Sequence, residues 1–286
     1  MKTTLTQDVR GQLRRQLLTY FVTTFAISWG IFGAALAFGF ANSPVVILGV
    51  WGPTLTAIIL TAGFHGKSGL KRFFGRFNAR EGIKWFLPLL GFFLAIGLAG
   101  HFVGSIVTGI EFDAEFWGWA WVAQVITAQF VIAGMGEEFG WRGFALQRLQ
   151  HLVTPLRATI IVAFFHLLWH APTYWLGQGM HNVPAIWAAF FILPWSILFT
   201  WAYNRSGGSI LVSVLFHATS GAALSYTAFL PGENEIPISP ELITMAWLPD
   251  GLMGPYIGVA ALYWLVAIYV LCGGFGGLGT PPEFEH

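Results

Sequence analysis

The chain alternates long apolar stretches with short polar breaks. Crossing a ~30 Å hydrocarbon core takes ~20 apolar residues. Runs of that kind occupy roughly 17–40, 44–63, 85–110, 116–136, 158–177, 184–203, 208–230 and 253–272. Backbone polar groups in lipid must be paired within their own segment, so each run predicts a helix. The alternating ~10-residue strands of a membrane barrel are not seen. The pattern therefore predicts an all-α polytopic membrane protein with about eight transmembrane helices, forming one integral membrane domain over residues 1–286. Pro53, Pro88, Pro172 and Pro194 fall inside runs, which membrane bundles tolerate. The first run starts too late and is too long for a cleaved signal peptide.

Composition narrows the class. The residues are 56% hydrophobic and 9% charged, and the mean hydropathy is +0.66. A soluble domain carries about 25% charged residues, so a cytosolic globule, a disordered chain and a nucleic-acid binder are excluded. The single cysteine, Cys272, excludes a disulfide framework and a Cys-rich metal site.

The placement of charge orients the spans. Lys2, Arg10, Arg14 and Arg15 precede the first span, and Lys67, Lys71, Arg72, Arg76, Arg80 and Lys84 lie between the second and third. Arg142, Arg148 and Arg157 lie between the fourth and fifth, and Arg205 between the sixth and seventh. Every base thus falls on one side, which the positive-inside rule makes cytoplasmic, with both termini there. The opposite loops carry Glu111, Asp113, Glu115, Glu233, Glu235, Glu241 and Asp250. Trp117, Trp119 and Trp121 would mark the outer interface. Segment 64–84 mixes bases with Phe73, Phe74 and Phe77, and reads as an interfacial helix on an anionic leaflet or a solvated loop.

Ionisable groups inside spans are costly and are candidates for function. Glu137 and Glu138 end the fourth span in GMGEEFGWRGF. Glu138 and Arg142 are four residues apart and can pair across one helical turn, while Glu137 points about 100° away and can become a base; the alternative is a polar helix end in the headgroup region. Gly134, Gly136, Gly140 and Gly143 thin the helix there and permit close neighbours. His166 and His170 share a face of the fifth span, and His217 lies in the seventh. At 1.5 Å per residue, His170 and His217 sit about 18 Å and 14 Å from their cytoplasmic helix starts. A carboxylate and two imidazoles at one depth can hold and deprotonate a water, with or without a metal. His166 is either a packing residue or part of this group, and His101 reads as a packing residue. One tension stands: Glu137 lies at the inner mouth and the histidines near mid-membrane. Either helix four continues past Trp141 or the site lies in a wet cavity.

These residues resemble the CAAX-protease and bacteriocin-processing (CPBP, or Abi) family of intramembrane proteases. Its E-E-x-x-x-R motif is matched by Glu137, Glu138 and Arg142 within EEFGWRGFALQRLQ. Its F-x-x-x-H motif is matched at the histidine by His170 in LLWHAP, and its H-x-x-x-N motif at the histidine by His217. The motif core covers about 115–225. Two positions depart: His166 stands where the family has Phe, and Gly221 where many members have Asn. In the family that Asn is thought to help the histidine steady the oxyanion; Ser220 and Thr219 are the candidates to replace it.

The resemblance implies an endopeptidase acting on a membrane-associated protein or peptide, in a prokaryotic cytoplasmic membrane. Glu137 and His170 would activate water, His217 would steady the oxyanion, and Glu138 with Arg142 would brace the site. Glu137, His170 and His217 suffice for a catalytic zinc or another divalent metal with an open position, and equally for metal-free general-base catalysis. The alternatives are a catalytically weak or inactive scaffold or immunity protein, for which Gly221 argues, and a transporter, for which paired broken helices are not seen.

Overall fold

The structure, a computed structural model, describes residues 6–109, 119–177, 183–227, 239–247 and 250–283. Among these residues there is helix and no strand. The chain runs α1 (Gln7–Phe38), α2 (Val46–Val50), α3 (Gly52–Gly75), α4 (Ala79–Thr108) and then a long broken helix. That helix comprises α5 (Trp119–Ala128), a π-turn (Gln129–Gly134), α6 (Met135–Gly140), a second π-turn (Trp141–Leu146) and α7 (Gln147–Leu152). α8 (Pro155–Trp169), α9 (Thr173–Leu176), α10 (Ala185–Arg205), α11 (Ile210–Thr227) and α12 (Asp250–Leu271) follow.

Local chemistry sets these boundaries. Thr154 caps α8 by accepting from the Arg157 amide at 3.4 Å, and Pro155 fills the first turn, where its missing N–H costs nothing. α1 ends at Gly39, whose φ of 73° is the left-handed conformation that glycine adopts without strain. Among the described residues three helices are apolar and long enough to cross a membrane: Gln7–Phe38, Ala79–Gly100 and Ala185–Arg205. Shorter apolar helical stretches cover Ile210–Gly221 and Tyr256–Leu271. Outward faces carry exposed Leu18, Ile59, Leu87, Ile106, Phe164 and Ile186, a surface suited to lipid rather than water.

Three predicted segments differ. The fourth run does not end near 136; the helix continues through both π-turns to Leu152, so Glu137 lies mid-helix. The fifth run breaks at His170, because Pro172 has no N–H to continue the ladder. Segment 64–84 is not one helix: α3 bends at Gly66 and ends at Gly75, and α4 begins at Ala79 beneath an Asn78 cap. The aromatic girdle at Trp117, Trp119 and Trp121, the His101 side chain, and Glu111, Asp113, Glu115, Glu233 and Glu235 lie outside the described residues or side chains.

Among the described residues the core has two packed clusters. One joins α4, α10, α11 and α12 through Phe93, Phe199, Phe216 and Tyr263. The other joins α1, α3, the broken helix and α8 through Tyr20, Trp141, Phe144 and Trp169. Phe130 packs against both. At one end of the bundle a polar layer ties helix ends together. Arg76 donates to Gln147 Oε1, the Tyr203 hydroxyl and the Gly143 carbonyl. Arg148 donates to Gln16 Oε1, the Gln150 and Asn204 amides exchange hydrogen bonds, and Arg10 donates to the Leu152 carbonyl.

Candidate active site

The broken helix is built for close approach. A Cβ on Gly134 would fall 2.9 Å from the Val214 carbonyl oxygen, and one on Gly140 would fall 2.5 Å from that of Pro53. The glycines therefore bring α11 and α3 against the Glu-bearing turn, as the spacing predicts. The two π-turns flank Glu137 and Glu138 on either side, and such widened turns occur frequently at functional sites.

Glu138 and Arg142 pair as expected. Arg142 Nη1 lies 3.0 Å from both oxygens of Glu138, and both side chains are buried. The guanidinium lies over Phe199 at 3.6 Å and Trp195 at 5.1 Å, where ring faces favour a cation. Arg142 is thus a buried structural cation and not a base of a solvated loop. Glu138 also receives His217, whose Nδ1 lies 2.7 Å from Oε1.

Glu137 is held by a histidine that the motif does not name. His166 Nε2 lies 2.8 Å from Glu137 Oε2, and both residues are buried. His170 stands beside them, with its ring centroid 5.0 Å from that of His166. One ligand atom each from Glu137, His166 and His170 lie within 4.8 Å of one another, and so do atoms from Glu137, Glu138 and His217. Glu137 belongs to both groups. Glu137, His170 and His217, the trio drawn from the sequence, do not form a single such group, but all three line one cavity of about 330 Å³. The depth tension dissolves, because the helix that carries Glu137 continues past Trp141 and keeps the acid level with the imidazoles.

The cavity lies at the seam of the two clusters. Phe32 and Trp169 belong to one wall, and Phe191, Ile192 and Trp195 to the other. Thr219 does not replace an amide at position 221: it is fully buried, with its hydroxyl 2.7 Å from the Leu215 carbonyl. Ser220 Oγ donates to the His217 carbonyl at 3.1 Å and accepts from Trp195 Nε1 at 3.0 Å. The side chain that faces Gly221 is Gln129, and both line the cavity. Gln129 was not singled out in the sequence, where only ionisable groups within the runs drew notice. The signal available was an amide in an apolar run, eight residues before Glu137.

Residues 118–223 match the family described as Type II CAAX prenyl endopeptidase Rce1-like. The chain is also 28% identical over 220 residues to CAAX prenyl protease 2 of Methanococcus maripaludis, covering 69% of this chain and 80% of that protein. The matched segment contains all five motif residues, from Glu137 to His217.

Proposed function

From the premise that the chain is a CPBP-family membrane protein, we propose that it is an endopeptidase that hydrolyses a peptide bond of a membrane-anchored substrate inside the cavity at the seam. One observation carries this reading. Glu137 sits in both Glu–His groups and faces the cavity that His170 and His217 also line.

Glu137 serves as general base. An ionised carboxylate only accepts hydrogen bonds, so the proton of its contact with His166 rides on Nε2. Nδ1 of that ring is then bare, in keeping with its burial without a hydrogen-bond partner. His166 thereby fixes the carboxylate in one orientation. His170 orients the water. Glu137 takes one proton, the hydroxide oxygen attacks the scissile carbonyl, and the proton returns to the leaving amine. His217, fixed through Nδ1 by Glu138, turns its remaining nitrogen to the substrate oxygen. Glu138 and Arg142 position that ring.

Glu137, His166 and His170 also fit a divalent metal, since two imidazoles and a carboxylate are the donor set of catalytic zinc with an open position. A metal bound there would supply a water acidified towards neutral pH. The other group is less suited, because Arg142 already occupies Glu138.

The substrate is a peptide attached to the bilayer, for which the prenyl proteins of the relatives' names are one class. The protein acts in a cytoplasmic membrane with its polar layer and both termini on the cytoplasmic side, in keeping with bases such as Arg10, Arg76, Arg148 and Arg205 at that end. The test uses full-length protein in lipid nanodiscs with a library of membrane peptides, with and without chelator. Cleavage by the wild type that disappears in Glu137→Gln is expected. Equal cleavage by Glu137→Gln would sink the reading.

A further inference from the structure

A peptidase cavity needs hydrogen-bond donors aimed at the carbonyl oxygen that becomes negative. The polar side chains lining this cavity are Gln129, Glu137, His166, His170, Thr173, His217 and Ser220, with the indoles of Trp169 and Trp195. Trp195 spends its N–H on Ser220 Oγ, and the Trp169 N–H is buried away from the open space; His170 is the ring that orients the water. Glu137 is an acceptor, and His166 and His217 each spend one nitrogen on a carboxylate. Both hydroxyls spend their protons on main-chain carbonyls: Thr173 on His170 at 2.7 Å and Ser220 on His217 at 3.1 Å. The Gln129 carboxamide, with two N–H donors, makes no side-chain hydrogen bond among the described residues.

Its position follows from two features of the chain. Eight residues at 100° each would leave Gln129 about 80° out of phase with Glu137. The π-turn that begins at Gln129 takes up this drift, so that Gln129, Ala133 and Glu137 all line the same cavity. Across the cavity, position 221 has no side chain. A Cβ there would stand 2.7 Å from Gln129 Oε1 and 2.9 Å from its Cδ. The amide of Gln129 thus fills the room that a side chain at 221 would take, one helical turn from His217 on α11.

We infer that Gln129 is a catalytic residue, which donates a carboxamide N–H to the substrate's scissile carbonyl oxygen beside His217. The inference rests on the peptidase reading above. When the hydroxide oxygen bonds to the carbonyl carbon, the C=O π pair moves onto oxygen, and Gln129 and His217 share that charge. When the pair returns, the C–N bond breaks and the amine leaves with the proton held by Glu137. Gly221 is the complement of this arrangement: it is vacant so that an amide can enter from the facing helix.

The test measures kcat and KM of full-length protein in nanodiscs on a peptide that the wild type cleaves. Gln129→Ala and the isosteric Gln129→Glu are expected to lose about 10²–10³-fold in kcat with little change in KM, the usual cost of one oxyanion donor. Gly221→Asn alone is expected to lose activity by displacing Gln129. The pair Gln129→Ala/Gly221→Asn is expected to regain at least about tenfold over Gln129→Ala, by returning an amide from the other side. A purely structural role predicts lowered melting temperatures and no regain, and either the absence of regain or a Gln129→Glu kcat within threefold of wild type would overturn the assignment. In that case cleavage that still depends on Glu137 leaves the peptidase reading standing. A wild type that cleaves nothing overturns both.

Discussion

Glu137 Oε2 and His166 Nε2 meet at 2.8 Å in a buried contact between α6 and α8. The contact joins the acid of one motif to a residue that departs from another. His166 occupies the position where the family pattern has an aromatic side chain, and here it keeps ring packing against Trp141 and Trp169 while also binding the Glu137 carboxylate. Replacing it with the family's residue is therefore not neutral. His166→Phe should keep the packing but leave a buried carboxylate oxygen without its donor, at a cost of about 1–3 kcal/mol. A kcat lowered by about 10²-fold through loss of orientation is also expected. Thermal melting in detergent and steady-state kinetics check both.

Glu137→Gln preserves shape and removes the proposed base. Its kcat should fall by about 10²–10⁴-fold, the usual contribution of general acid–base catalysis, with an unchanged melting temperature. Single-turnover cleavage in nanodiscs measures the first, and tryptophan fluorescence on heating the second.

Glu138 and Arg142 form a buried pair, and removing one partner strands the other. Arg142→Met should cost about 3–5 kcal/mol. The double variant Glu138→Gln/Arg142→Met should recover much of that stability, because no lone charge remains. A melting series of the wild type, both single variants and the double variant reads the coupling.

Cobalt absorption separates the two candidate metal groups. Titrated cobalt is expected to bind the wild type through Glu137, His166 and His170, since it stands between iron and nickel in the affinity order of nitrogen and oxygen sites. His166→Ala and His170→Ala should abolish the signal, and His217→Ala should keep it. Persistence in His170→Ala would overturn that ligand set.

Gly140→Ala drives a methyl group into the Pro53 carbonyl, a backbone contact that cannot step aside. Overpacking of this kind costs about 1–3 kcal/mol. Gly63→Ala has no atom within 4 Å of the new methyl and should be neutral or slightly stabilising. Unfolding midpoints of the two variants give the comparison.

Much of this site was legible because intramembrane charge is scarce. Glu137, Glu138, His170 and His217 stand out within or at the end of apolar runs; Glu137, His170 and His217 line one cavity, and Glu138 holds His217 beside it. What stayed hidden depends on helix phase and on backbone hydrogen bonding. A π-turn has no compositional mark, so helix four read as ending near 136 and Arg142 as a loop base. The spacing of His166 to His170 placed both on one face, but could not tell which ring would reach Glu137. Gln129 bears only the mark of an amide in an apolar run, since its place opposite Gly221 exists only once the widened turn has rotated it inward. Of the eight apolar runs, those around 17–40, 85–110 and 184–203 form, among the described residues, helices long and apolar enough to cross a membrane.

The burial of Glu137 has a consequence for the peptidase reading. In a helix each carbonyl already accepts from the amide four residues on, and side chains wrap the backbone to a diameter of about 10–12 Å. A coiled segment must therefore unwind before one of its carbonyls can reach a carboxylate buried between two walls of side chains. On that reading, how readily a stretch of the target melts sorts victims from bystanders, and a neighbouring protein whose segment stays wound escapes whatever its sequence spells.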